Sequence, residues 1–140
     1  MSNMANLFFY IEFEGDDVSE ALKEKWVGED VFFAAKGAEY FELQEGEKIK
    51  KYRRQNYLSI MFEISQENRS LSELLIEFIE KQREKISSVI DNGNMHKRIH
   101  ISAYPEAIYD VVQYNIDLSA EAMKKILDLG VELSFIILKM

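Results

Sequence analysis

The chain of 140 residues contains no cysteine, a single proline and only six glycines, which are scattered along it. The lack of cysteine excludes disulfide bridges, thiolate metal sites and cysteine nucleophiles, and it is typical of a protein in a reducing compartment. The separated glycines form neither a G-x-G-x-x-G nor a Walker phosphate loop, and no G-x-S-x-G nucleophile elbow occurs. These absences exclude the commonest enzyme signatures, although they do not exclude every enzyme.

Targeting signals and an excess of positive charge are also lacking. The amino terminus has no basic segment followed by an apolar run, so we expect neither a signal peptide nor a membrane span and predict a cytoplasmic protein. Seventeen basic residues against 25 acidic ones give a net charge of −8, which disfavours a general nucleic-acid binder. A hydrophobic share of 47% is enough to bury a core, and the length predicts a single domain over residues 1–140.

Four segments alternate between apolar residues and other residues with a period of two, which is typical of strands with one buried face. They cover residues 7–14, 57–65, 98–104 and 131–138. Because every segment has one apolar face, they predict a sheet that other elements cover on one side only. Residues 31–35 and 40–43 fit two further short strands, whereas the pattern does not determine the paths of residues 27–56 and 105–116.

Three segments have the apolar spacing of three and four that is typical of helices packed on a core. The longest covers residues 70–91 and begins with Ser70 and Glu73 in capping-box positions. Another begins after Ser119 and ends at Gly130, and a short one covers residues 17–26.

The order of these elements predicts an α+β fold. It has two layers, a mostly antiparallel sheet of four to six strands and three helices on one face of that sheet. The first six elements can trace a ferredoxin-like unit, to which a helix–strand pair is added.

Several local motifs resemble those of a known family. Residues 9–13 read FYIEF and lead into Gly15-Asp16-Asp17, the middle helix contains LLIEF, and residues 36–37 are Lys-Gly. Residues 117–130 read DLSAEAMKKILDLG and precede the last alternating segment. In these motifs the chain resembles the bacterial "domain of unknown function 4279" family. The resemblance implies a small bacterial domain and carries no catalytic residue over to this chain.

The two histidines, His96 and His100, have a spacing that suits a metal site on a helix. Here they fall at the entry of a predicted strand, where residues four apart lie about 13 Å from each other. Two ligands of one zinc ion must lie within roughly 4 Å of each other, so we predict no metal site and no cofactor.

The sharpest charged feature is a basic run at residues 48–54, whose candidate patch consists of Lys50, Lys51, Arg53 and Arg54. Basic residues beside exposed aromatic side chains are one layout used to stack single-stranded RNA. The RNP1 signature is missing, however, and the chain is acidic, so we do not expect nucleic acid as a partner. The run can equally balance acidic residues across a hairpin; these are Glu39, Glu42, Glu45 and Glu47.

The sheet face opposite the helices is the best candidate site. Its predicted side chains are Phe8, Tyr10, Tyr57, Met61, His100 and Tyr104, with Ile136 and Leu138 beside them. Aromatic residues and methionine are enriched in protein interfaces, and so large an apolar surface exceeds what a monomer commonly leaves exposed. The alternative is that residues 27–56 or 105–116 fold over this face and bury it.

We therefore predict a non-catalytic protein-interaction domain, whose partner is a second copy in a homodimer or another protein. A toxin-neutralising immunity protein is one such case, because an acidic surface steers a basic toxin. The alternative is a small enzyme or ligand-binding domain that uses carboxylates in a pocket lined by Glu12, Glu63 or Asp110.

Overall fold

The computed structural model describes residues 7–65, 69–91, 93–103 and 118–137. In chain order the elements are β1 (Leu7–Glu14), a 3-10 helix (Glu20–Trp26), β2 (Asp30–Ala34), β3 (Glu39–Gln44), β4 (Glu47–Tyr52), β5 (Tyr57–Ile64), α1 (Leu71–Ser87), β6 (His96–Ala103), α2 (Ala120–Leu129) and β7 (Glu132–Ile137). The predicted loop or strand within residues 105–116 lies outside the described residues.

Five of the strands form one sheet in the order β2-β5-β1-β6-β7. Neighbouring strands are antiparallel except β6 and β7, which are parallel. The first four strands of this order have the arrangement of a ferredoxin-like unit, and α2 with β7 is the added pair. The α+β prediction is therefore confirmed.

The core lies between the sheet and the helices because β1 alternates strictly, with Leu7, Phe9, Ile11 and Phe13 buried. Phe78 of α1 packs edge-on against Phe9, with ring centroids 5.0 Å apart. Each fully buried side chain of this size contributes about 2 kcal/mol of transfer free energy, so the β1–α1 contact is a major part of the core.

The predicted N-terminal caps of both long helices are present, whereas α1 ends at Ser87, four residues before the predicted end at residue 91. The side chain of Ser70 accepts a hydrogen bond from the backbone N–H of Glu73, and that of Ser119 accepts one from Ala122. Gly130 ends α2 with a φ of 73°, a left-handed conformation that glycine adopts without steric cost.

The segment 17–26 forms only a 3-10 helix that begins at Glu20, later than predicted. The side-chain amide of Asn56 donates to the backbone carbonyls of Asp16 and Val18, at 3.4 and 2.9 Å. Because these carbonyls accept from the side chain of Asn56, just before β5, they do not accept from backbone amides as they would within a helix. Buried Trp26 anchors the end of the 3-10 helix by donating to Gln82 of α1 at 3.0 Å.

The middle of the chain contains a separate hairpin of β3 and β4. Glu45 and Gly46 both have positive φ values, 52° and 82°, as a two-residue hairpin turn with matching twist requires. Strand β4 contains residues 48–52 of the basic run, for which a hairpin was one of the two interpretations of the sequence. Among the described helices, none has the length and apolar character needed to cross a membrane.

Candidate functional site

All described helices pack on the face of the sheet that carries Phe9. Trp26 contacts Phe13, Phe78 contacts Phe9, and Ala122 of α2 belongs to the same buried cluster. The opposite face, which we call the open face, carries the alternate residues of β1 and their cross-strand neighbours. No helix within the described ranges covers it.

Two cross-strand rows make up the centre of the open face. From β2 to β7 they are Asp30, Met61, Tyr10, His100 and Ser134 in one row, and Phe32, Ser59, Glu12, Arg98 and Glu132 in the other. The first row is largely aromatic and apolar, and the second is largely charged.

Five of the six predicted interface residues lie on the open face, and Tyr104 lies outside the described residues. The five are Phe8, Tyr10, Tyr57, Met61 and His100. Each is half-buried, which is less exposed than the sequence led us to expect, because cross-strand neighbours shield one another.

The most exposed apolar side chains on this face are Phe32 at 53% and Ile136 at 46%. Phe32 is not among the predicted interface residues, although the alternation within β2 indicates its position. Its neighbours Val31 and Phe33 pair with the buried Ile60 and Leu58, so Phe32 must point the other way.

A hydrogen-bonded charge chain occupies the second row. The carboxylate of Glu12, whose side chain is 14% exposed, accepts a hydrogen bond from the hydroxyl of Tyr57 and contacts Arg98 at 3.3 Å. Arg98 also reaches Glu132 at 3.6 Å, so one guanidinium links two carboxylates from different strands.

Burial, together with the hydrogen bond to Glu12, raises the pKa of Tyr57 well above its ordinary value. The phenol is therefore protonated across the physiological range, and it acts as a hydrogen-bond donor and not as a base.

His100 lies between two serine hydroxyls. Its Nδ1 is 2.6 Å from Oγ of Ser134, and its Nε2 is 3.2 Å from Oγ of the buried Ser102. Burial lowers the pKa of His100, so the ring is neutral at neutral pH, with one donor and one acceptor nitrogen. A serine faces each ring nitrogen and no carboxylate does, which is not the arrangement of a serine–histidine–acid triad.

The cations of the predicted basic patch do not form one surface. Lys50 and Lys51 point to opposite faces of the hairpin, where they pair with Glu39 at 3.7 Å and Glu42 at 2.8 Å. The interpretation of the basic run as one half of a charge-balanced hairpin is therefore confirmed for these two pairs. Arg54 is exposed just beyond the hairpin.

Arg53 has a different role, because its guanidinium lies between two aromatic rings. Its central carbon is 4.2 Å from the ring centroid of Tyr40 and 4.1 Å from that of Tyr57. Cation–π contacts of this kind attach the base of the hairpin to one corner of the open face.

His96 and His100 are the first and fifth residues of β6, which places them about 13 Å apart along the strand. In the part of the chain that the structure describes, no three His, Asp or Glu side chains come together as a metal site would need.

The carboxylates considered for catalysis are also separated. Glu12 lies opposite Ser59, and Glu63 lies opposite Phe8, so the two acids are four residues apart along the strands, about 13 Å. The carboxylate pair of a glycosidase lies about 5 to 9.5 Å apart. Asp110 lies outside the described residues.

Glu63 instead lines a groove of about 570 Å³ between the end of β5 and α1. Another carboxylate of that groove, Glu77, is paired with Arg69 and with Lys81. These two cations lower the pKa of Glu77, which keeps it ionised and bonded within the groove.

No family model matches the chain, and no curated protein or solved structure matches it either. Membership of the "domain of unknown function 4279" family stays a prediction.

Proposed function

We propose that the protein is a non-catalytic bacterial interaction domain that works in the cytoplasm and binds another protein through the open face. The observation that carries this proposal is the exposure of Phe32 and Ile136 at the two sides of a sheet face that no described helix covers. Between them lie half-buried Tyr10, Met61 and His100, which offer rigid aromatic and adaptable apolar contact area.

The charge of the open face supports a partner with a basic contact surface. Carboxylates stand on every strand of this face except β6: Asp30, Glu12, Glu14, Glu63 and Glu132. Among the described residues, Arg98 and, at one corner of the face, Arg53 oppose them, and the whole chain carries −8. Two copies that met through this face would oppose like charges, which favours a different protein. A basic toxin that the domain neutralises is one such partner.

The chemistry of the central groups supports binding more than catalysis. The phenol of Tyr57 is held protonated, and Glu12 is already bonded to Tyr57 and Arg98. The buried hydroxyl of Ser102 is poorly placed to attack a substrate. The hydrogen bonds among these groups are made within the protein, and such a network holds the side chains of the face in fixed positions.

The proposal is tested by capturing partners from the native cell with the wild-type chain and with a Phe32→Ser/Met61→Ser variant. A protein that the wild type enriches over an empty-resin control is then purified, and its affinity for both chains is measured by calorimetry. We expect a basic protein whose affinity falls at least about tenfold in the variant, since interface anchors cost more than 1 kcal/mol when truncated.

The matched control is Phe41→Ser, because Phe41 is similarly exposed, at 60%, but lies on the hairpin. It should leave the affinity unchanged. Equal binding by the wild type and the open-face variant would contradict the proposal.

A further inference from the structure

One side of the groove between β5 and α1 is a stretch of strand that is paired on one side only. Strand β5 pairs with β1 along its whole length, as far as Ile64. On its other side, β5 pairs with β2 only as far as Met61, which lies opposite Asp30. Among the described residues, none pairs with this other side of residues 62–64. Because the amides and carbonyls of a strand point alternately to its two sides, part of this stretch presents unpaired backbone groups to the groove.

Five apolar side chains line the groove. Phe62 of β5 packs edge-on against Phe78 of α1, with ring centroids 5.0 Å apart. Leu74 lies one helical turn before Phe78 and also lines the groove, as do Met61 and Ile64. The groove volume of about 570 Å³ lies within the range of about 300 to 1,000 Å³ that ligand pockets have. The groove therefore has room for a few side chains of a partner and apolar area for them to contact.

The charged side chains of the groove are only partly paired. Glu77 is bonded to both Arg69 and Lys81. The side chains of the other three carboxylates of the groove have no hydrogen bond or ion pair to any described residue. They are Glu29, Asp30 and Glu63. Four carboxylates and two cations give the lining a net charge of −2, so the groove attracts a cationic group.

A strand added beside residues 62–64 meets the charged and the apolar lining alternately. Because side chains alternate along a strand, the added residue opposite Glu63 lies on the same face of the sheet as Glu63. The added residues opposite Phe62 and Ile64 lie on the face that α1 covers, beside Phe78. A lysine or arginine opposite Glu63 forms a cross-strand ion pair, and apolar residues on either side of it contact the apolar lining. The groove is thus complementary to an extended segment in which basic and apolar residues alternate.

We propose that this groove binds an extended segment of a basic protein, which adds one strand to β5 beside residues 62–64. The inference rests on the proposed function for the source of the segment, which is the basic partner of the open face. Asp30 and Met61 line the groove and also belong to the first row of the open face. One partner therefore contacts the open face and the groove as a continuous surface.

The test is an NMR titration of the full chain with capped five-residue peptides. The basic peptide is Val-Lys-Val-Lys-Val, and the acidic peptide has glutamate in place of lysine. We expect the basic peptide to shift the amide signals of residues 62–64 and to bind at least about tenfold more tightly than the acidic peptide. Methylation of its backbone nitrogens should abolish this binding, because a strand pairs through its amides. Equal binding of the basic and acidic peptides, or binding of the methylated peptide, would overturn the proposal.

Hydrogen exchange of the free chain shows whether this side of β5 is open to a partner. At least one amide of residues 62–64 should exchange as fast as an exposed amide, and it should become protected when the basic peptide binds. Slow exchange of all three amides in the free chain would show that the chain itself pairs there, which would overturn the proposal.

A substitution of Glu63 tests the charge of the groove. Glu63→Lys should weaken binding of the basic peptide at least about tenfold, because like charges then lie opposite each other. Glu47→Lys is the matched control, since it makes the same charge change at an exposed residue of the hairpin, and it should leave the affinity unchanged. Equal effects of the two substitutions would contradict the proposal.

These results are separable from those on the open face. Peptide binding in the groove without a captured partner of the open face would refute the proposed function alone. A captured partner of the open face without peptide binding would refute the groove proposal alone.

Discussion

Glu12 is the residue on which the polar centre of the open face depends. It is bonded to Tyr57 on one neighbouring strand and to Arg98 on the other. Since its side chain is only 14% exposed, these partners replace most of the water that a carboxylate normally keeps. Removing its charge therefore leaves Arg98 with Glu132 as its one carboxylate partner among the described residues.

Glu12→Gln should lower the free energy of unfolding by about 1 to 3 kcal/mol, because a charged hydrogen-bond network loses one member. Urea unfolding followed by the fluorescence of buried Trp26, the only tryptophan, measures this change. Glu63→Gln is the control, since Glu63 lies on the same face but is exposed, and it should change stability by less than about 0.5 kcal/mol. Equal effects of the two substitutions would show that the network does not stabilise the fold.

Tyr57 should make the stability of the fold fall in alkali. Its pKa is raised in the folded chain above the ordinary value of 10.0, so the unfolded chain releases the proton first. The contribution is complete below about pH 10 and is lost as the pH rises further. In the Tyr57→Phe variant, the free energy of unfolding should fall less steeply above pH 10 than it does in the wild type. An ultraviolet titration of the variant should show one tyrosine fewer among those that ionise only at high pH. An unchanged alkaline slope would contradict the raised pKa of Tyr57, which burial and the hydrogen bond to Glu12 produce together.

His100 should have the opposite pH dependence. Burial lowers its pKa in the folded chain below 6.5, so its contribution to stability is present above that pH and is lost as the pH falls. In the His100→Gln variant, the free energy of unfolding should therefore fall less between neutral pH and about pH 5 than it does in the wild type. Proton NMR measures the titration directly, because the chain has only two histidines and the signal missing from the variant is that of His100. Titration of that signal above 6.5 would be the contrary result.

At the level of elements, the sequence predicts best what is fixed locally. The caps at Ser70, Ser119 and Gly130 each depend on a few adjacent residues, and all three are present. The helix predicted over residues 17–26 begins only at Glu20, because the carbonyls of Asp16 and Val18 accept hydrogen bonds from Asn56, about 40 residues away. Strand β4 was predicted only as an alternative, through charge balance across a hairpin, because most of its residues are charged and the hydrophobic pattern does not detect it.

The hairpin of β3 and β4 should be held to the sheet mainly by Arg53. Arg53→Ala removes the contacts with Tyr40 and Tyr57, which together are worth about 1 kcal/mol. We expect backbone amides of β3 and β4 to exchange hydrogen several times faster, while amides of β1 keep their rates. The neighbouring, exposed Arg54→Ala should leave both unchanged, and an equal effect of the two substitutions would show that the stacking does not hold the hairpin.

At the level of the whole molecule, alternation predicted which residues share the open face but not which of them touch. The contact of Glu12 with Arg98 joins residues 86 positions apart, and it exists because β6 pairs with β1 in one register. Likewise, β7 lies beside β6 because the two strands pair in parallel, and a local sequence pattern does not predict which strands pair. The face could therefore be predicted from the sequence, whereas its charged centre and the order of its strands could not.

The central claim, that the open face binds a protein partner, is tested most directly by photo-cross-linking in the native cell. Benzoylphenylalanine is placed at Phe32 of the open face or at Phe41 of the hairpin, two phenylalanines of similar exposure. The account predicts a covalent product with a basic protein from position 32 and none from position 41. Products from position 41 alone, or from neither position, would contradict it.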